Sequence, residues 1–204
     1  DRDIYYMDPN NPKTEKLILQ VKGGGWGIQD ISPDGKQLVI GEYVSINESY
    51  LWLLDVATGK LTEISDRNSK GISQSDATFS NVPNEIWFVT DKDNEFERLA
   101  SMNLNTKKTT YYTTNIPWNV ENYDVSNDKK SIVFITNEAG LNKMYLMNTA
   151  TKAYKEFKNL PIGLLSGARF TKNNQTIFFN QSTAQTASDV YQLNIQTGKI
   201  NRWT

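Results

Sequence analysis

Residues 31–60 read ISPDGKQLVIGEYVSINESYLWLLDVATGK. The stretch opens on a turn, Ser32-Pro33-Asp34-Gly35. Pro presets the turn dihedral, Asp caps it, and Gly35 suits the left-handed position. An apolar run follows at Leu38-Val39-Ile40, then a second from Tyr50 to Leu54, then another turn, Ala57-Thr58-Gly59-Lys60. A hairpin turn of this last kind favours Gly at positive φ. Strands are expected at about Gly27–Ser32, Gln37–Tyr43, Tyr50–Val56 and Lys60–Ser65.

The same pattern recurs along the chain. Ser32, Ser80, Ser126 and Thr171 are spaced by 48, 46 and 45 residues, and Thr58, Thr106, Thr151 and Thr197 by 48, 45 and 46. Apolar residues keep phase with both series: Ile31, Phe79, Val125 and Phe170 just before the first, and Ile40, Phe88, Phe134 and Phe179 within the second strand. A repeat of about 45 residues with four strand-like segments is the mark of a β-propeller, one four-stranded antiparallel blade per copy. The recurring Ser, Asp, Thr and Gly residues read as turn chemistry that every blade needs.

The expected organisation is a partial propeller over 1–204. It has a half blade at 1–20, its strands at Ile4–Asp8 and Lys16–Leu19, and blades at about 26–66, 71–114, 118–158 and 164–204. On this phase the chain begins mid-blade and ends on an outer strand. The reading is a fragment of a ring of about seven or eight blades, with a small closed ring of four or five blades as the alternative. A partial ring leaves sheet edges uncovered, and a second copy could cover them.

Composition narrows the function. The chain holds 22 Lys and Arg against 23 Asp and Glu, for a net charge of −1. That balance argues against nucleic acid or an anionic membrane as the main partner. There is no cysteine and no histidine. Cysteine nucleophiles, Ser-His-Asp triads and His-based metal sites are therefore outside this chain's chemistry. A Ser-Lys dyad is the one common nucleophile system left, and each Ser and Lys has a plainer explanation. No cofactor is expected. Asp91–Glu97 resembles a calcium loop, but Phe96 stands where the loop needs Gly and Met102 where it needs Glu. It reads as an acidic, solvated hairpin loop. Gly23–Gly27 leads into a strand rather than a helix, so it reads as a flexible connection and not a phosphate cradle. Trp26, Glu97 and Trp118 lie in the irregular loops at the end of the blades opposite the repetitive turns, and are the candidates for a partner-docking face.

ISPDGK at 31–36 and LLDVATGK at 53–60 resemble TolB-like and WD-type propeller repeats. FVTDKDNEFERLA at 88–100, NIPWNVE at 115–121, TNEAG at 136–140, NLPIG at 159–163, SDVY at 188–191 and TGKINRWT at 197–204 occur in order. Together they resemble the N-terminal propeller of the prolyl oligopeptidase family of serine peptidases, of the acylaminoacyl-peptidase and dipeptidyl-peptidase type. The resemblance implies a non-catalytic propeller capping an α/β-hydrolase domain of the same parent chain and admitting short peptide substrates. No Gly-x-Ser-x-Gly elbow is present; Gly71-Ile-Ser-Gln-Ser ends in the wrong residue. The implied role is substrate gating without chemistry. A free-standing TolB-like interaction module is the other reading. A carbohydrate-active propeller would need clustered carboxylates near the axis, and the acids here fall mostly in turns and outer loops. Composition leaves the compartment open between cytoplasm and periplasm or secretion.

Overall fold

The computed structural model describes residues 2–204, and among them there is no helix. The chain divides into two compact units, Asp1–Asn94 with Leu99–Tyr111, and Glu95–Arg98 with Tyr112–Thr204.

The first unit holds a hairpin, β1 (Ile4–Asp8) and β2 (Asn11–Leu19), and two four-stranded sheets. One sheet is β3 (Trp26–Ile31), β4 (Gln37–Ser45), β5 (Glu48–Asp55) and β6 (Leu61–Glu63). The other is β7 (Gln74–Phe79), β8 (Glu85–Thr90), β9 (Arg98–Asn103) and β10 (Thr109–Tyr111). The second unit holds two more. They are β11 (Val120–Val125), β12 (Ser131–Glu138), β13 (Leu141–Asn148) and β14 (Tyr154–Glu156), then β15 (Leu164–Phe170), β16 (Thr176–Ser182), β17 (Asp189–Asn194) and β18 (Ile200–Arg202). Each sheet is an antiparallel meander in chain order, the propeller blade the repeat calls for.

In the β3–β6 sheet both faces are packed, which is why its second strand is apolar at consecutive positions. Leu38 and Ile40 turn to one side of β4 and pack with Ile4, Leu54, Ile18 and Trp52. Val39 turns to the other and joins Leu51, Phe79, Ile86 and Phe88 between the two sheets of the first unit. In the second unit Val133, Ile135, Met144, Ile177 and Phe179 form the matching layer. Each fully buried side chain of this size is worth about 1.5–3 kcal/mol over its exposed state.

The turns are closed by the residues that mark the repeat. Ser32 Oγ donates to Asp34 Oδ1 (2.7 Å) and accepts from Gln37 N (2.9 Å). Ser126 makes the same bonds with Asp128 and Ser131, and Thr171 makes the first with Asn173. In the other turn, Asp55, Asn103, Asn148 and Asn194 each accept from the backbone N–H of the Thr three residues on. The residue after that Thr is left-handed in all four blades: Gly59 (φ 69°), Lys107 (59°), Lys152 (64°) and Gly198 (70°).

Several sequence expectations need correction. β2 starts at Asn11 rather than Lys16, because the turn after Asp8 is tight and Asp8 N donates to Thr14 Oγ1. The outer strands β6, β10, β14 and β18 are only three residues long. Gly25 is not merely a flexible link. Its carbonyl accepts from Tyr43 N (2.8 Å), and a Cβ there would overlap the Tyr43 carbonyl oxygen. Gly163, at the matching place before β15, has φ 158° and would likewise overlap Ser182 O. Asp91 is no free loop acid either, since its Oδ1 accepts from Ser73 N at 2.8 Å.

One feature was not read from sequence. Every first strand carries a register shift: between Ile28 and Asp30, Ser75 and Thr78, Val120 and Asn122, and Ser166 and Arg169, the one in β11 two residues earlier in the repeat than the others. Such bulges bend a strand and re-aim its side chains. In two of these strands, at the shift in β3 and two residues past it in β11, an acid reaches the neighbouring sheet of its own unit. Asp30 Oδ2 accepts from Phe79 N (2.8 Å), and Asp124 Oδ2 from Phe170 N (2.7 Å).

Candidate functional site

The blade ends away from the repetitive turns carry the irregular loops and the three candidate residues. In the first unit, Trp26 opens β3. Its ring lies 5.6 Å from that of Trp52, and its Nε1 donates to Lys22 O. Trp52 Nε1 donates in turn to Glu42 Oε2 at 3.0 Å. Glu42 also pairs with Arg67 (3.3 Å), whose guanidinium sits 4.9 Å from the Tyr50 ring centroid and 5.5 Å from that of Trp52. Lys70 pairs with Glu48 at 3.5 Å, and Tyr50 O–H donates to the same carboxylate. The Tyr50 hydroxyl is the main reason the Glu48 carboxyl is held below its ordinary value. This cation–aromatic lattice fastens the connection between β6 and β7 onto the β4–β5 hairpin. Beside it lies a cleft of about 290 Å³ lined by Trp26, Ile28, Gln29, Glu42, Tyr43 and Ile46 among others.

Glu97 and Trp118 lie in adjoining segments of the second unit. Glu97 N donates to Asn119 Oδ1 and Glu97 O accepts from Val120 N, both at 2.9 Å. The Trp118 ring lies 6.1 Å from that of Phe96. Segments 95–97 and 118–120 are thus laced together at the entrance to β11. Trp26 belongs to the other unit and shares neither contact. Both tryptophans are half-buried and spend part of their surface on packing.

A second polar knot in this unit centres on Glu138. Burial alone would raise its carboxyl, but hydrogen bonds from Lys143, Tyr145 and Thr136 bring it below the ordinary value. Lys143 lies 2.6 Å away and Tyr145 O–H donates at 2.7 Å. Burial, and then the Glu138 contact, drive the Tyr145 phenol well above its usual range, so it stays protonated. The knot ties the β12–β13 hairpin and offers no ready base. Among the described residues no three acids come close enough to hold a metal ion. Sequence reasoning did not find Glu42, Arg67 or Glu138, whose partners sit two to 25 residues away at no fixed spacing.

The fold defines the class: repeated four-stranded antiparallel blades with irregular loops at one end make this a β-propeller domain. The chain belongs to the prolyl oligopeptidase family. Residues 4–204 match that family's description, "Prolyl oligopeptidase, N-terminal beta-propeller domain". No curated protein matches the chain. Among solved structures, it is similar to TolB from Acinetobacter baumannii, with a TM-score of 0.72 and 17% identity over 98% of this chain and 48% of that one. It is also similar to a prolyl endopeptidase, with a TM-score of 0.80 and 12% identity over 98% and 30%. An oligogalacturonate lyase in complex with manganese gives a TM-score of 0.78 and 15% identity over 98% and 59%. The chain therefore spans between about a third and three fifths of these structures. At such identities they share a fold, and a fold of this kind hosts unrelated activities.

Proposed function

We propose that this chain is the non-catalytic propeller of a prolyl-oligopeptidase-family serine peptidase, part of a ring of about seven or eight blades, which limits by size the peptides reaching a separate α/β-hydrolase domain. The observation that carries this is the family match over residues 4–204 in a chain with no histidine. A Ser-Asp-His triad needs an imidazole to take the serine proton and return it to the leaving amine, and this chain cannot supply one. What it supplies is a rigid frame. Packed sheets and turns closed by their own side chains hold irregular loops in place, and a rigid frame excludes by shape.

The test has two arms. The chain alone, given aminoacyl and acyl-peptide chromogenic substrates, should give no turnover; hydrolysis blocked by a serine-directed inhibitor would overturn the reading. The full-length gene product should cleave short peptides with kcat/KM falling steeply as the peptide lengthens, and should leave folded proteins intact. Length-independent cleavage would remove the gating role while leaving the family membership in place. The TolB likeness supports a second reading, a free-standing interaction module. A stop codon close after Thr204 would favour it.

A further inference from the structure

The turn-bearing end of the second unit is a cationic platform. Its four turns span 126–131, 148–153, 171–176 and 194–199. They hold five lysines, Lys129, Lys130, Lys152, Lys172 and Lys199, against a single acid, Asp128. Hydrogen bonds knit the turns together. Asn127 N donates to Asn174 Oδ1 (2.7 Å) and Asn127 Nδ2 to Thr171 O (3.1 Å). Thr149 Oγ1 donates to Lys129 O (2.7 Å), and Ile195 N to Gln175 O (3.0 Å). The lysines therefore stand on one stiff surface. Asp128, whose Oδ1 accepts from Ser126 O–H (2.7 Å) and Lys130 N–H (3.1 Å), offsets only one of the five charges. Lys130, Lys172 and Lys199 are exposed.

Two comparisons set this platform apart. The opposite end of the same unit carries Glu95, Glu97, Glu121, Glu138 and Asp189 against Arg98, Lys143 and Arg202, so the cationic surplus is confined to the turn-bearing end. The matching turns of the first unit, at 32–37, 55–60, 80–85 and 103–108, hold four lysines against Asp34, Asp55 and Glu85. There Lys36 pairs with Asp34 (3.8 Å), and Lys107 Nζ donates to Glu63 O. The repeat needs no lysine surplus, since the first unit builds the same turns near neutrality.

We infer that this platform docks an acidic polypeptide segment, whose carboxylates pair with Lys130, Lys172, Lys199 and their neighbours. A surplus of one sign on a fixed surface attracts the opposite sign and speeds encounter. A single nucleic-acid strand calls for aromatic stacking platforms, and an anionic membrane for apolar groups beside the basic ones. The exposed large apolar side chains of this unit, Leu141, Ile162, Leu164 and Trp203, all lie outside these turns. A nucleic-acid duplex carries negative charge along its whole length and would run past the platform toward the acidic end. The inference stands apart from the gating reading and survives its failure.

The experiment is fluorescence anisotropy of a labelled Glu-Ser repeat peptide with the 204-residue chain, at low and at physiological salt. The expected result is salt-sensitive binding that a Gln-Ser repeat lacks. The triple variant Lys130→Glu/Lys172→Glu/Lys199→Glu should weaken it roughly tenfold or more. The matched variant Lys36→Glu/Lys60→Glu/Lys108→Glu, with the same change in net charge, should change it less than about twofold. Circular dichroism should show that both variants keep the sheet spectrum. Equal loss in both variants would overturn the assignment to this platform. Equal or tighter binding of duplex DNA, or of phosphatidylserine vesicles, would overturn the choice of partner.

Discussion

The two units fasten their sheets with the same carboxylate in different surroundings. In the first, Asp30 bonds Phe79 N, and Gln29 beside it reaches Ala77 N at 2.6 Å. Gln29 does so by lying across Gly41, where any Cβ would overlap its amide. In the second, Asp124 bonds Phe170 N with Arg169 close by, and Arg169 Nη1 reaches Tyr123 O at 3.3 Å. The first unit therefore relies on two neutral-backbone contacts and an enforced glycine. The second relies on an arginine contact and an acid that burial pushes above its ordinary pKa. Asp30 sits at the register shift of its strand, and Asp124 two residues past that of its own.

The comparison breaks first at the glycines. Gly25→Ala and Gly163→Ala should each lose about 3 kcal/mol, since both would drive a methyl into a second-strand carbonyl. Urea unfolding measures this, and a loss below about 1 kcal/mol in either would show that the approach is looser than described. The acids come next. Asp30→Ala and Asp124→Ala should each lose about 1–3 kcal/mol, because each leaves a backbone N–H without its acceptor.

Asparagine probes the second site. Asp124→Asn keeps an acceptor and removes a buried charge, so at neutral pH it should retain more stability than the Ala variant. The sign follows from linkage: a raised carboxyl pKa means that ionisation opposes folding. That penalty is full above the folded-state pKa and fades as pH falls through it toward the reference value of 3.8. Any advantage of Asp124→Asn over wild type should fade over the same range. An advantage that grew on acidification would reverse the assignment.

The smallest effects lie in the left-handed turn positions. Lys152→Gly should gain a few tenths to about 1 kcal/mol, as should Lys107→Gly, by relieving a non-glycine residue at positive φ. The reverse changes should differ. Gly59→Lys should lose more than Gly198→Lys, because a Cβ on Gly59 would meet Ile18 O at 2.6 Å while Gly198 faces open space. Thermal melts of the four variants would order them.

The blades were legible because the forces behind them are local. Ser32 with Asp34 and Asn194 with Thr197 close bonds within two or three residues, and the apolar phase of Leu38, Ile40 and Leu54 follows from strand geometry. The fastenings between sheets were not legible. Gln29 and Ala77 are 48 residues apart, and neither is unusual for its strand. Gly25 looked like slack because a glycine required by close approach and one placed for freedom are the same letter. The candidate site was half legible. Loop position singled out Trp26, Glu97 and Trp118, but nothing local told that Glu97 would be tied to Asn119 or that Trp26 would lean on Trp52.

The three-residue outer strands have a practical consequence. A foreign chain seeking to extend a blade finds a border too brief to register against, so concentrated solutions should resist fibril seeding along β6, β10, β14 and β18. The long border is β2, nine residues, and there Pro12, Lys13, Glu15 and Lys16 stand guard by denying a donor and presenting charge.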